Sequence, residues 1–275
     1  MEDFLFEPIP ITYDGRDAAR HELELYSLGQ SAQGLARILS VTGQFVLTNR
    51  YARHLDAMDV KVLVGTPAAG SWELVAKLRE AAQGQLFKGA GAAFGKLLSY
   101  VMSKLAGRKD AQERFDEFAR FAIEQQRIHS ENLSRIQLDT FERMVRDLRP
   151  AARLALVPIG NTCNTIRIGK KEYSSPELDI IDKEVVDQGP DVIVTDADVH
   201  SVFISELDMK TGGCRVSYPD NKEKRHRGLI TDPVVFLPNN PYVNAMSNEI
   251  LVSVHAKMTL KEGLIQKIFI SDLAT

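Results

Sequence analysis

"GQLFKGAGAAFGKLLSYVMSKLAG", residues 84–107, decides how this chain is built: it holds three lysines, five glycines, no acid, and mostly apolar residues between them. Three readings compete for it. A phosphate-binding loop would require G-x-x-x-x-G-K-[ST] after a buried strand. Here Gly95-Lys96 is present, but Ala90 takes the place of the first glycine and Leu97 follows the lysine. That reading is rejected. At 100° per residue, Phe87, Phe94, Leu98, Val101 and Leu105 fall on one face of a helix, while Lys88, Lys96 and Lys104 fall on the other. A cationic interfacial helix has this layout, with its apolar side in lipid and its lysines toward anionic headgroups. The ordinary fate of such a helix is different: the same face packs on the chain's own core. The small residues Gly89, Ala90, Gly91, Ala92 and Ala93 would then permit close helix packing.

On the N-terminal side, PIPITYDG reads as a strand ending in an Asp14-Gly15 turn. HELELY alternates and reads as a second strand. Ser27 with Gln30 forms a capping box, and Leu28, Ala32, Leu35, Ile38, Leu39 and Val46 then predict a helix to about Asn49. VKVLVG, residues 60–65, reads as a short buried strand with SWELVAKL as its hairpin partner.

On the C-terminal side, the chain reads as helical from Arg79 to Leu148, ending at Arg149-Pro150. Phe115, Phe118, Ala122, Leu133 and Ile136 form a stripe, so residues 110–138 are a candidate surface for homo-oligomers. Asp139 and Glu142 are placed to cap a fresh helix carrying Phe141, Met144, Val145 and Leu148. Beyond it, VHSVFISELDMKTGGCRVSY and ILVSVHAKMTLKEGLIQKIFISD read as two hairpins. Short strands with regular turns point to a small barrel or sandwich. The expected organisation is α+β: a small α+β unit over 1–78, a helical segment over 79–149, and a mostly β, barrel-like domain over 150–275.

Bulk properties narrow the function classes. The 275 residues are 44% apolar and 26% charged, with net charge −3 and pI about 6.1. No global basic field advertises nucleic acid, so such binding needs a local patch. The acidic start MEDFLFEP is not a signal peptide, and no uncharged run of about 18 apolar residues occurs. Cys163 and Cys214 are too few for a disulfide framework or a zinc site. A cytoplasmic protein is expected, peripheral at the inner membrane if residues 84–107 engage lipid.

Several constellations carry chemistry in principle. Asp196, Asp198 and His200 alternate and would share a strand face, as metal ligands do, but they make an equally good polar turn. Pro190-Asp191 followed by Asp208-Met-Lys210 fits the loose pattern of metal-dependent nucleases, although Asp208–Gly213 also reads as a hairpin turn. Lys222, Lys224, Arg225, His226 and Arg227 form a basic knot beside Tyr218 that on a small barrel could grip phosphates, but Glu223 and Asp220 dilute it and a solvated loop is the default reading. Ile230-Thr-Asp-Pro233 and Asn239-Asn-Pro-Tyr242 are turn chemistry. No catalytic residue, metal site or cofactor motif is assigned.

Two stretches together carry a resemblance. ITYDGRDAARHELELYSLGQSAQGLARIL near the start, and FISELDMKTGGCRV, LITDP, NPYVNA and LKEGLIQKIFISD near the end, resemble a family of uncharacterised bacterial and prophage proteins built from two domains of unknown function. The resemblance implies a genome-defence or phage-related setting and brings no catalytic residues. The expected function is therefore a non-enzymatic interaction protein, a sensor or effector of anti-phage defence. It would contact an anionic membrane or a partner protein through Phe87, Lys88, Phe94, Lys96, Leu98, Val101, Lys104 and Leu105. The alternative is a nucleic-acid-binding protein using Lys222, Lys224, Arg225 and Arg227, or a metal-dependent nuclease centred on Asp191, Asp208 and Lys210.

Overall fold

The computed structural model describes residues 8–52, 60–65, 72–80, 89–124, 136–169, 175–189, 192–261 and 264–274. Contacts divide the chain into two compact units, Met1–Asp187 and Gln188–Thr275.

The first unit is an α+β layer. Strands β1 (Ile9–Asp14), β2 (Val60–Gly65), β3 (Trp72–Glu80) and β4 (Thr165–Ile168) form an antiparallel sheet in the order β2-β3-β1-β4. Ile9, Ile11 and Tyr13 alternate into the core, as a strand with one covered face requires. β2 is an edge strand with Leu63 and Val64 exposed, rather than the fully buried strand its apolar run suggested.

Helix α1 (Leu25–Thr48) starts two residues earlier than Ser27, and the HELELY strand does not form. Glu24 accounts for both differences. Its carboxylate accepts the backbone N–H groups of Tyr26 (2.9 Å) and Ser27 (2.6 Å), taking over the N-cap. The helix ends at Asn49, in the left-handed conformation with φ 54°.

Helices α2 (Ala90–Leu105), α3 (Ala111–Glu124) and α4 (Ile136–Ala155) pack with α1 around an aromatic centre. Phe141 lies 4.9 Å from Phe45, 5.4 Å from Phe115 and 5.8 Å from Phe118. α4 does not stop at Pro150 but runs on for five residues. Proline removes one backbone hydrogen bond from a helix. Against that, Ala151, Ala152 and Ala155 are buried in the core, and Gly34 of α1 lets the α4 backbone approach at Ala151 and Ala155. Tertiary packing outweighs the local break. Ser31 of α1 ties three elements together: its hydroxyl donates to the Ala155 carbonyl (2.7 Å) and accepts from Tyr13 (3.0 Å). Helix α5 (Ile180–Gln188) is anchored by Asp182, which Arg108 grips in two-pronged fashion at 2.9 and 2.6 Å. The expected border at Pro150 therefore moves to Asp187, because α4, β4 and α5 all belong to the first core.

The second unit is a closed five-stranded barrel. Its strands are β6 (Asp198–Leu207), β7 (Gly213–Tyr218), β8 (Asn221–Ile230), β9 (Val252–Lys261) and β10 (Leu264–Leu273), with β5 (Val192–Val194) added on the outer edge of β9. The β6–β7, β7–β8 and β9–β10 hairpins and the β6–β9 pair are antiparallel, and β8 beside β10 is parallel and closes the ring. Val202, Ile204, Cys214, Val216, Ile230, Val254, Ala256, Ile268 and Ile270 fill the interior by simple alternation. Gly228 faces Cys214 across the β7–β8 ladder, where an added Cβ would lie 2.6 Å from the sulfur.

Between β8 and β9, a 3₁₀ turn (Pro233–Phe236) and helix α6 (Pro241–Ser247) send Val235 and Tyr242 into the same core. Asp232 and Tyr242 are both buried. The Tyr242 hydroxyl donates to the Asp232 carboxylate at 2.7 Å, and that carboxylate also caps the 3₁₀ turn at Val234 N. Burial, and then the Asp232 bond, push the Tyr242 phenol far up. Removing this hydroxyl leaves a buried carboxylate oxygen without its donor. Tyr242→Phe is expected to lower stability by about 2 kcal/mol, read as a shift in the urea midpoint at unchanged m-value.

Candidate functional site

The described part of the stretch at 84–107, residues 89–107, packs into the core. Phe94, Leu98, Val101 and Leu105 of α2 are each at most 3% exposed and join the helical cluster. The face read as membrane-seeking is already covered by the chain itself. Lys96 pairs with Glu117 of α3 at 3.7 Å, and Lys104 sits exposed in the last helical turn, where a cation suits the helix dipole. Phe87 and Lys88 lie outside the described residues. No described helix is long and apolar enough to cross a membrane. In α3, Phe118 and Ala122 turn into the same core and Phe115 packs against it, so those members of the oligomer stripe are occupied within the chain. Leu133 lies outside the described residues.

Neither metal pattern gathers. Among the described residues, no group of three His, Cys, Asp or Glu side chains is placed to hold an ion. The Asp198 carboxylate accepts from Val199 N at 2.8 Å, and Asp196 stands in the loop before β6. Asp191 lies outside the described residues. Asp208 is spent on the β6–β7 turn, accepting from Lys210 N and from the Thr211 hydroxyl, both at 2.8 Å. Those bonds, the Lys210 N–H first, hold its carboxyl below the usual range. Cys163 and Cys214 are buried, and burial pushes both thiols up to about 12, so neither is a nucleophile at neutral pH.

The basic knot is the motif that becomes a surface. On β8, Val216 faces His226 and Tyr218 faces Asn221, so residues 222–225 stand opposite the single residue Ser217. This bulge carries the run out of the ladder, and Lys222, Lys224 and Arg225 are all exposed. Arg227 re-enters the ladder on the outer face, directly opposite Arg215 of β7. Arg215 is in turn the register partner of Glu206 on β6. Glu206 touches Arg225 at 3.3 Å and Arg215 at 4.0 Å, a single carboxylate shared by two guanidiniums. Like charges placed directly across a ladder destabilise a sheet. The row therefore holds more positive charge than its own partners neutralise.

One aromatic ring borders the row. Lys222 Nζ lies 3.9 Å from the ring centroid of Phe203 on β6. On the inner side of the barrel, the rings of His200, Tyr218 and His226 stack edge to face, at 6.1 and 6.0 Å, and Tyr218 packs against the core. Burial, reinforced by the Lys224 charge, lowers the His226 pKa, so at neutral pH it adds no cation. Lys222, Lys224, Arg225 and Arg227 were visible in the sequence as a cluster. Arg215, Phe203 and Glu206 were not, because only strand register brings them beside it.

The strand order β6-β7-β8-β10-β9, closed β9 to β6, with a helix between β8 and β9, is that of the OB barrel. The chain is thus a two-unit protein: an α+β unit and an OB-type barrel with a basic outer face. It belongs to the DUF7946 family, described as a domain of unknown function, whose match spans residues 9–187. Residues 196–274 match DUF7947, a family of unknown function. No curated protein and no solved structure matches the chain.

Proposed function

We propose that this is a non-enzymatic nucleic-acid-binding protein that grips phosphates with the outer face of β7 and β8. The observation that carries the reading is the Arg215–Arg227 register pair beside the bulged run 222–225. A row of guanidiniums only partly neutralised by Glu206 is a natural partner for a phosphate backbone, which takes paired N–H donors. The OB barrel adds an analogy: proteins of this architecture bind oligonucleotides across the same two strands and the adjoining loops. A fold alone assigns no function, and the charge row supplies the independent support. In the defence setting that the sequence resemblance implies, such a surface would suit a sensor. Anionic lipid is less favoured, because the apolar face that would accompany the lysines of α2 is buried.

The test is fluorescence anisotropy with the full-length protein and labelled single-stranded oligonucleotides of about 15 nucleotides, alongside co-sedimentation with phosphatidylserine-containing vesicles. Binding at about 50 mM salt is expected, with log K falling against log[salt] at a slope of about −2 to −3, and no vesicle binding. No binding to any oligonucleotide at low salt, or equal salt-sensitive binding to vesicles, overturns the proposal.

A further inference from the structure

Phe203 lies between Val202 and Ile204, which are 0% and 3% exposed and point into the barrel. Alternation therefore puts its ring on the outer face. Its register partner is Ser217, a small residue, and beyond Ser217 stands the bulge of β8. From that bulge Lys222 reaches back across β7 to lie over the ring. An aromatic face is thus held ready on the sheet, with one flexible cation over it.

Two general facts decide what this pair does. An exposed cation–π contact is weaker than the stacking of a nucleobase on an aromatic ring. A lysine displaced from such a ring needs an anion, and a base arrives with a phosphate attached. We infer that Phe203 is a stacking platform for one base of a single strand, and that Lys222 is its resting cap, moving to the neighbouring phosphate when the base arrives. The inference rests on the nucleic-acid reading above and specifies its substrate: the bases of a duplex are already stacked, so the site selects single strands.

The experiment compares the full-length protein with Phe203→Ala, Phe203→Tyr and Lys222→Ala, each against a single strand of about 15 nucleotides and its duplex. Phe203→Ala is expected to weaken single-strand binding about tenfold, equivalent to about 1.4 kcal/mol, while duplex binding and the salt slope stay unchanged. Phe203→Tyr retains wild-type affinity. Lys222→Ala makes the single-strand salt slope shallower by about 0.7. Unchanged single-strand binding in Phe203→Ala overturns the inference. So does an equal loss on strand and duplex accompanied by a lowered melting temperature, which would mark Phe203 as structural. If the unaltered protein binds no nucleic acid, the nucleic-acid reading falls and the platform with it. If binding is intact and Phe203→Ala is neutral, the platform alone falls.

Discussion

Charge reversal at Arg225 and Arg227 is expected to weaken binding to single-stranded oligonucleotides by about a hundredfold at about 50 mM salt. Each substitution removes a phosphate contact and adds a repulsion, at roughly 1.4 kcal/mol per site. The mutated face is nearly independent of folding. Arg225 meets Glu206 at 3.3 Å, in a pair more than half exposed, and surface pairs of this kind contribute little to stability. Arg227 stands opposite another arginine, so its removal relieves a repulsion within the ladder. The melting temperature of Arg225→Glu/Arg227→Glu should therefore stay near that of the unaltered protein while binding collapses. Loss of binding together with unfolding would assign the arginines to structure.

Gly34→Ala is expected to destabilise the first unit by about 3 kcal/mol. Alanine is ordinarily the better helix former, by about 1 kcal/mol. Here the added methyl would run into backbone atoms of α4, the Ala151 carbonyl oxygen and the Ala155 nitrogen, which belong to a rigid helix and cannot swing aside. Relief requires α1 and α4 to separate. That would strain the Ser31 bond to Ala155 and the packing around Phe141. Gly29 on the same helix is the control: nothing lies within 4 Å of a Cβ placed there. Gly29→Ala should be neutral, or stabilising by up to about 1 kcal/mol. Urea denaturation of the two variants separates helix propensity from close packing. Equal effects would mean that the α1–α4 approach is looser than described.

Most local chemistry was legible in the sequence, the Glu24 cap that replaced the HELELY strand excepted, and non-local chemistry was not. The apolar spacing of Leu35, Ile38, Leu39 and Val46 placed α1 and its end at Asn49, and the two C-terminal hairpins followed from alternation around turn residues. The amphipathic face of α2 was equally visible, but periodicity names a face and not what covers it. The buried face proved to be core because α1, α3 and α4 meet on it. Pro150 misled for the same reason: proline's local cost is readable, while the packing that absorbs it lies a hundred residues away in α1. Closure of the barrel depends on the parallel β8–β10 pair, which has no turn signature. The candidate site divides along the same line. Its β8 cations are contiguous and could be read directly, whereas Glu206, Arg215 and Phe203 join them only through strand register.

The most direct measurement is the backbone amide spectrum of the full-length protein, recorded while a single-stranded oligonucleotide is added. The account predicts salt-sensitive shifts concentrated on Phe203–Glu206, Cys214–Tyr218 and Lys222–Arg227, with α2 silent. Shifts confined to residues 90–105, or none at saturating oligonucleotide, would contradict it.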